Sequence, residues 1–177
     1  MKSRLSSKEI DKLEAEAIVL PFFSDERPLK GANGLIDWRM NGSVSRLLME
    51  GKISGKRGES VLILPRKRIK GDKILMVGLG DSSEFNGSLL EGVSADILRQ
   101  IAKIGVNNFA IAIPPKNKTS ITTAVAATSI IQGMKDAAKE ANIKDEKIFV
   151  TLAVDQESMD EAKQATDKLQ KELKSKG

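Results

Sequence analysis

Residues 16 to 23 read Glu-Ala-Ile-Val-Leu-Pro-Phe-Phe. A short run of β-branched and apolar side chains between polar neighbours is typical of a strand buried on both faces of a sheet. Pro21 has no N–H to donate to a neighbouring strand, so we expect the strand to end there. The run therefore predicts the central strand of a covered sheet.

Outward from this strand, short apolar runs alternate with stretches of helical periodicity. Further strands are predicted at residues 60–64, 73–77, 108–113 and 147–154, and helices at 35–48, 89–104 and 121–138, with a closing helix after Asp155. Alternating strands and helices of these lengths indicate an α/β three-layer sandwich, a mixed, mostly parallel sheet with helices on both faces. With 177 residues and no evident linker, residues 1–177 are expected to form a single domain.

Local signals predict where the helices begin and end. Asn33 is the expected N-cap of the first helix, Gly51 its expected end, and Gly42 a place for close packing or a break. Either Thr119 or Ser120 is expected to cap the helix that follows the fourth strand. Phe22 and Trp38 are expected in the core, because a chain with 3% aromatic residues tends to bury them.

The composition excludes several kinds of chemistry. The chain has no Cys and no His, which removes disulfides, thiolate or imidazole metal sites, and Ser-His or Cys-His catalysis. We assign no catalytic residue, no metal ligand and no cofactor. The N-terminal residues lack an apolar signal core, and the longest apolar run is too short to span a membrane, so a cytoplasmic protein that does not bind membranes is expected.

The net charge of +5 is concentrated in one segment. Residues 52–73 contain eight basic and two acidic residues, so the rest of the chain is nearly neutral. The basic turn Arg66, Lys67, Arg68 and Lys70 is expected to be exposed and is the candidate polyanion patch. A merely solvated surface explains the same residues, and nucleic acid is not the partner we expect.

Residues 17–48 carry a family resemblance. The segments Val-Leu-Pro-Phe-Phe-Ser-Asp-Glu-Arg-Pro-Leu and Gly31-Ala32-Asn33-Gly34-Leu35-Ile36-Asp37-Trp38-Arg39-Met40-Asn41-Gly42 resemble the N-terminal domain of leucyl (cytosol) aminopeptidases. The later Lys73-Ile74-Leu75-Met76-Val77-Gly78-Leu79-Gly80 is similar to that family's strand and turn. The resemblance implies a macro-domain-like fold, in agreement with the order of elements read from the pattern.

The resemblance does not extend to an active site. In that family the two-metal peptidase site lies in a C-terminal domain, around an Asn-Thr-Asp-Ala-Glu-Gly-Arg segment that this sequence lacks. Macro domains that bind ADP-ribose have an Asn-rich segment and a Gly-rich loop. The corresponding places here hold Pro21-Phe22-Phe23 and residues 114–120, neither of which is Gly-rich. ADP-ribose is therefore not expected to bind through those contacts.

This interpretation of the sequence leads to two functional hypotheses. The first is a non-catalytic interaction or regulatory module, with a protein partner or self-association, in association with a separate metallo-aminopeptidase catalytic chain or domain. The alternative is a macro-like module that binds a small anionic ligand, a nucleotide or an acidic metabolite. Its candidate site joins two loops at the carboxyl ends of neighbouring strands, and consists of Gly31, Asn33, Gly34, Lys116, Lys118, Thr119 and Ser120. These polar residues also suit simple helix capping.

Overall fold

The computed structural model describes residues 1–114, 119–143 and 147–175. The strands are β1 Lys2–Ser6, β2 Ala17–Phe22, β3 Ser60–Ile63, β4 Lys73–Gly78, β5 Asn108–Ala112 and β6 Phe149–Ala153. The α-helices are α1 Gly31–Arg39, α2 Ser43–Met49, α3 Gly87–Lys103, α4 Thr123–Glu140 and α5 Met159–Ser175. Short 3-10 turns lie at Ile10–Lys12, Ser82–Glu84 and Gln156–Ser158.

The strands form one six-stranded sheet in the order β1-β6-β5-β2-β4-β3. All neighbouring pairs are parallel except β3 with β4. β2 and β5 are central neighbours, as the sequence predicts, and β1 and β3 form the two edges. Parallel strands whose carboxyl ends meet at the same edge leave a crevice there, because the following loops diverge.

Two apolar layers cover the sheet. In β2, Ala17 and Val19 face the layer of α3, α4 and α5, whereas Ile18, Leu20 and Phe22 face the layer of α1 and α2. All five side chains are at most 1% exposed. Burial of alternate residues on opposite faces explains why this run is apolar throughout, and it confirms a strand covered on both sides.

The α3–α4 contact depends on a missing side chain. A Cβ atom on Gly133 of α4 would lie 2.1 Å from the main-chain oxygen of Glu91 in α3. No real side chain tolerates that distance, so glycine allows the two helix backbones to approach each other. The other helical layer turns at Gly42, whose φ of 70° separates α1 from α2 and confirms the predicted break.

One strand is missed by the sequence-based prediction, and the expected end of another is wrong. β1 is absent from the sequence-based strands because only Leu5 in it is a large apolar residue. β2 continues through Pro21 to Phe22, since Pro21 still pairs with Val77 of β4 and only the pairing with β5 stops, at Val19. Proline therefore ends one ladder and not the strand.

Three side chains also differ from expectation. Asn33 is not an N-cap, because α1 begins at Gly31 and Asn33 is buried within its first turn. The cap of α4 is neither Thr119 nor Ser120; Thr122 Oγ1 accepts the hydrogen bond from Val125 N at 3.2 Å. Phe22 is buried as expected, whereas Trp38 is 68% exposed. No helix in the described residues is both long and apolar enough to cross a membrane.

Candidate functional site

The crevice at the carboxyl ends of the strands is a cleft of about 420 Å³. Its floor consists of the ends of three parallel strands, through Pro21, Ala112 and Ala153, and one wall is the start of α1. The opposite wall is formed by residues 7–10 together with Asp155 and Gln156. Small-molecule sites in proteins have volumes of about 300–1,000 Å³, so the cleft is large enough for a metabolite.

The first turn of α1 presents unused donors to this cleft. Lys30, the N-cap residue, makes no side-chain capping bond, and the N–H groups of Gly31, Ala32 and Asn33 have no acceptor among the described residues. Lys30 N itself donates to the Oε1 atom of Glu26 at 3.0 Å. Free amides and the helix dipole at such a position favour a negatively charged group.

Asn33 connects the helix to the strand floor. Its Nδ2 atom donates to Pro21 O at 3.0 Å and lies 3.4 Å from Oε2 of Glu26. Both Asn33 and Glu26 are buried. The Oδ1 atom of Asn33 has no hydrogen-bond partner within the described part of the chain. A buried acceptor without a donor is costly, so a donor brought by a ligand or by water would be favourable there.

The charges around the cleft are mixed. Lys8 and Lys30 supply positive charge, and Glu9 and Asp155 supply negative charge. Glu9 forms an ion pair with Lys12, and that hydrogen bond and charge lower the pKa of the Glu9 carboxyl below 4.5. Among the described residues the cleft is therefore not strongly basic, and the groups there that suit an anion are mainly main-chain amides.

The structure brings only part of the predicted ligand site together. Gly31 and Asn33 line the cleft, with Ile113 at the end of the neighbouring strand. Gly34 does not line it; a Cβ there would lie 2.8 Å from Leu29 O, so this glycine serves the packing of the preceding loop. Lys116 and Lys118 lie outside the described residues.

Thr119 and Ser120 are placed elsewhere. Thr119 Oγ1 donates to Ile121 O at 3.2 Å, and Ser120 Oγ lies 3.5 Å from Phe85 O, beside α3. Neither residue lines the cleft. Sequence reasoning missed the buried Glu26 and the segment 7–10, because an isolated acid and a polar stretch near the N-terminus carry no pattern of their own.

The predicted basic turn is exposed. Arg66, Lys67 and Arg68 are all exposed and form no ion pair within the described residues, whereas Lys70 Nζ pairs with Glu14 Oε1 at 2.9 Å. Arg66 and Arg68 border a shallow depression of about 230 Å³ together with Leu64. This turn lies at the opposite end of β3 from Lys56 and Arg57.

A second, wider groove of about 820 Å³ runs between α3, residues 57–59 ahead of β3, and the end of β4. Val77, Leu89 and Val93 form its apolar floor, and Arg57, Arg99 and Lys103 lie along it. The described residues contain no group of three or more acidic side chains arranged to hold a metal ion.

The architecture is that of a macrodomain, an α/β sandwich with a mixed sheet. The chain superposes on the Oceanobacillus iheyensis macrodomain with ADP with a TM-score of 0.75 and 12% identity, over 96% of this chain and 92% of that one. For the Trypanosoma brucei macrodomain in complex with ADP-ribose the TM-score is 0.71 at 14% identity, over 93% and 68% of the two chains. At such identities the likeness shows the fold alone, and it confirms the predicted macro-like class.

Residues 19–142 match the N-terminal domain of the cytosol aminopeptidase family. The chain therefore belongs to this family, as its resemblance implies. It also superposes on a mutant of tomato leucine aminopeptidase with a TM-score of 0.67 and 19% identity, over 94% of this chain and 35% of that chain.

Curated relatives match through their N-terminal part. A "probable cytosol aminopeptidase" of Sulfurihydrogenibium sp. is 27% identical over 111 residues, which is 63% of this chain and 22% of that protein. One from Thermosynechococcus vestitus is 34% identical over 101 residues, 56% of this chain and 19% of that protein. The chain thus corresponds to about a fifth of these relatives and matches their N-terminal domain, not the catalytic domain.

Proposed function

We propose that this domain is a non-catalytic interaction or regulatory module that acts in the cytoplasm with a metallo-aminopeptidase catalytic domain, on the same polypeptide or a separate one. Residues 1–177 act as one unit in this proposal. The membership of the cytosol aminopeptidase family, through its N-terminal domain, supports the association. Catalysis would reside in the partner, because the sequence offers no His, no Cys and no segment like the family's metal site.

The observation that carries the proposal is the distribution of exposed apolar side chains. Five large apolar residues are exposed in the described part of the chain, and four of them fall within residues 38–64: Trp38, Met49, Leu62 and Leu64. Single exposed apolar residues are ordinary, whereas several on one surface are typical of a contact with another protein, and Leu64 borders the same depression as Met40 and Ser43 of the α1–α2 layer. The side chain of Trp38 is further held by the Arg39 guanidinium, 4.9 Å from its ring centre.

The test combines the purified chain with the catalytic domain of a cytosol aminopeptidase from the same genome. Light scattering after size exclusion measures complex formation, and hydrolysis of a leucyl amide with added Mn²⁺ or Zn²⁺ measures activity. We expect no turnover by the chain alone, and a complex whose turnover differs from that of the catalytic domain alone. Turnover that follows this chain through repurification, or the absence of any complex, would contradict the proposal.

The control variants separate the surface from the fold. Trp38→Ser combined with Met49→Ser removes two exposed apolar side chains from the layer of α1 and α2. The double change is expected to weaken the complex about tenfold or more. Val125→Ser removes an exposed apolar side chain from α4, in the other layer, and is expected to leave it unchanged. Equal effects of both changes would mean that the concentration of apolar residues has no special role.

The second candidate function is binding of a small anionic ligand, a nucleotide or an acidic metabolite, in the cleft. Three amides at the start of α1 and the Oδ1 atom of Asn33, none of which has a hydrogen-bond partner among the described residues, favour it. Two macrodomain neighbours carry ADP or ADP-ribose in their structures. ADP-ribose, ADP and inorganic phosphate are the probes, and the expected result is a saturable NMR shift of the Gly31, Ala32 and Asn33 amides.

Lys116→Ala with Lys118→Ala tests the remaining residues of the predicted ligand site. The double change is expected to weaken ligand binding, because it removes two positive charges from the residues that follow β5 in the sequence. Lys168→Ala with Lys171→Ala removes the same charge from α5, which does not line the cleft, and is the control. Unchanged binding after the first pair, or shifts confined to other residues, would reject the cleft as a ligand site.

A further inference from the structure

The two edges of the sheet differ in how they are protected. An edge strand exposes unpaired main-chain groups, and proteins usually place charged side chains there. β1 follows this rule, with Lys2 and Arg4 exposed on it. β3 does not, because Leu62 is 45% and Leu64, directly after the strand, is 64% exposed. This edge combines open backbone with apolar side chains.

The pairing of β3 with β4 shows which backbone groups are open. Gly78 N donates to Glu59 O at 2.9 Å, and the register pairs Val61 with Met76 and Ile63 with Ile74. Hydrogen bonding toward one neighbour alternates along an antiparallel strand, so residues 59, 61 and 63 face β4. The N–H and C=O groups of Ser60 and Leu62 therefore face away from the sheet. No described element bonds to them.

Positive charge flanks this open edge at both ends. Lys56 and Arg57 precede β3, and the exposed turn Arg66, Lys67 and Arg68 follows it. The only acid in the interval, Glu59, uses its Oε2 atom to accept hydrogen bonds from Ser54 N at 2.8 Å and Gly55 N at 2.6 Å. Arg57 has a single ion pair among described residues, with Glu84 at 3.6 Å, and both side chains are more than half exposed.

We infer that the free edge of β3 is a docking site for an extended, acidic segment of a partner protein, which adds to the sheet as a seventh strand. Main-chain bonds to Ser60 and Leu62 would hold the segment, and alternate apolar side chains would cover Leu62. Acidic side chains near its ends would meet the two basic clusters. This inference rests on the proposed interaction function and names the surface and the partner's chemistry.

A second copy of this chain is a poorer occupant. Two copies related by a two-fold axis would pair their β3 strands in antiparallel fashion. That arrangement sets Lys56 and Arg57 of one copy beside the turn of Arg66 to Arg68 of the other. Like charges placed opposite each other are destabilising across a strand pair. The charge on this edge thus favours an acidic partner over self-association.

The test uses a synthetic peptide of about ten residues in which Glu alternates with Val and Thr, the length of a typical added strand. The full chain is titrated with it while amide shifts are followed by NMR. Shifts at Ser60, Leu62 and Leu64 that weaken with added salt are expected. A peptide with Lys in place of Glu should bind at least about tenfold more weakly, since its charge repels both clusters.

Two variants examine backbone and charge separately. Leu62→Pro removes an outward N–H without removing a bond to β4, and it should lower the affinity for the peptide about tenfold. Leu62→Thr keeps this N–H. The threonine variant should therefore bind the peptide more tightly than the proline variant. Arg66→Glu with Arg68→Glu should also abolish most binding. Lys168→Glu with Lys171→Glu on α5 makes the same change in net charge and should not.

Several results would overturn the inference: no binding of the acidic peptide, shifts confined to other elements, or affinity that Leu62→Pro leaves intact. If a single-stranded RNA binds with an affinity that Leu62→Pro leaves unchanged but that requires Arg66 and Arg68, the surface would be reassigned to nucleic acid. A concentration-dependent dimer removed by Leu62→Pro would reassign it to a second copy. If the aminopeptidase catalytic domain binds and the β3 variants bind it equally well, the inference falls while the proposed function stands.

Discussion

The side-chain amide of Asn33, in the first turn of α1, donates a 3.0 Å hydrogen bond to the main-chain oxygen of Pro21, near the end of β2. Both residues are buried and line the cleft. The same amide nitrogen lies 3.4 Å from the Glu26 carboxylate, whose other oxygen accepts from Lys30 N. One side chain therefore fixes the start of α1 against the central strand of the sheet.

Replacing Asn33 should destabilise the fold. Asn33→Ala leaves the Pro21 oxygen without its donor, and we expect the free energy of unfolding to fall by about 1–3 kcal/mol. Urea denaturation measures this change. Gln132→Ala, which removes a partly exposed amide bonded to Asp136, is the control and should cost only a few tenths of a kcal/mol. A loss no larger than in the control would mean that Asn33 does not hold α1.

Gly133 should not accept a methyl group. Gly133→Ala forces α3 and α4 apart, because the new Cβ would overlap Glu91 O, and overpacking of this kind costs about 1–3 kcal/mol or more. Gly92→Ala in α3 is the matched control: its Cβ would have nothing within 4 Å, and alanine should stabilise that helix by about 0.4–1 kcal/mol. Thermal unfolding of both variants checks the opposite signs.

Trp38 should contribute little to stability. Its indole is 68% exposed, so Trp38→Ser should change the free energy of unfolding by less than about 0.5 kcal/mol. Phe22→Ala, at a fully buried position, should cost about 3–5 kcal/mol. As the single tryptophan of the chain, Trp38 also reports its surroundings by fluorescence. Strong protection from a soluble quencher in the free domain would contradict its exposure.

The Glu14 carboxyl should titrate below its usual range. The hydrogen bond and charge of Lys70 lower the pKa of Glu14 from 4.5. A carboxyl with a lowered pKa in the folded state stabilises the fold above its unfolded pKa, and this contribution is lost as the pH falls through the folded pKa. Lys70→Ala should return the Glu14 pKa toward 4.5, measured by NMR of the carboxyl carbon. An unchanged pKa would show that the ion pair does not persist in solution.

The sequence predicts the interior of the sheet well, because burial on both faces requires an unbroken apolar run. β2, β4, β5 and β6 are found where such runs occur, and Gly42 divides the first helical layer as its conformation suggests. β1 is missed because an edge strand is held by its backbone: Lys2 N bonds to Ile148 O at 2.8 Å, and its charged side chains remain in solvent.

The errors at the cleft have a different origin. An Asn ahead of a helical pattern suggests an N-cap, but Glu26 accepts from Lys30 N, and α1 starts before Asn33. The contact of Glu26 joins a loop residue to the helix, and no regular spacing in the sequence predicts such a contact. Trp38 could have been placed correctly, since Ile36 and Met40 are buried one turn apart and Trp38 lies between them on the other side of the helix.

The pairing of β1 with β6 also affects how the domain is made. Arg4 contacts Thr151 across a separation of 147 residues. Among the six strands, β1 is therefore synthesised before the others and its sheet neighbour β6 after them. Contacts of such large sequence separation close late and slow the folding of a domain. During translation, β1 therefore remains without its native partner until β6 emerges. Its Lys and Arg side chains disfavour pairing of the unpaired strand with other chains.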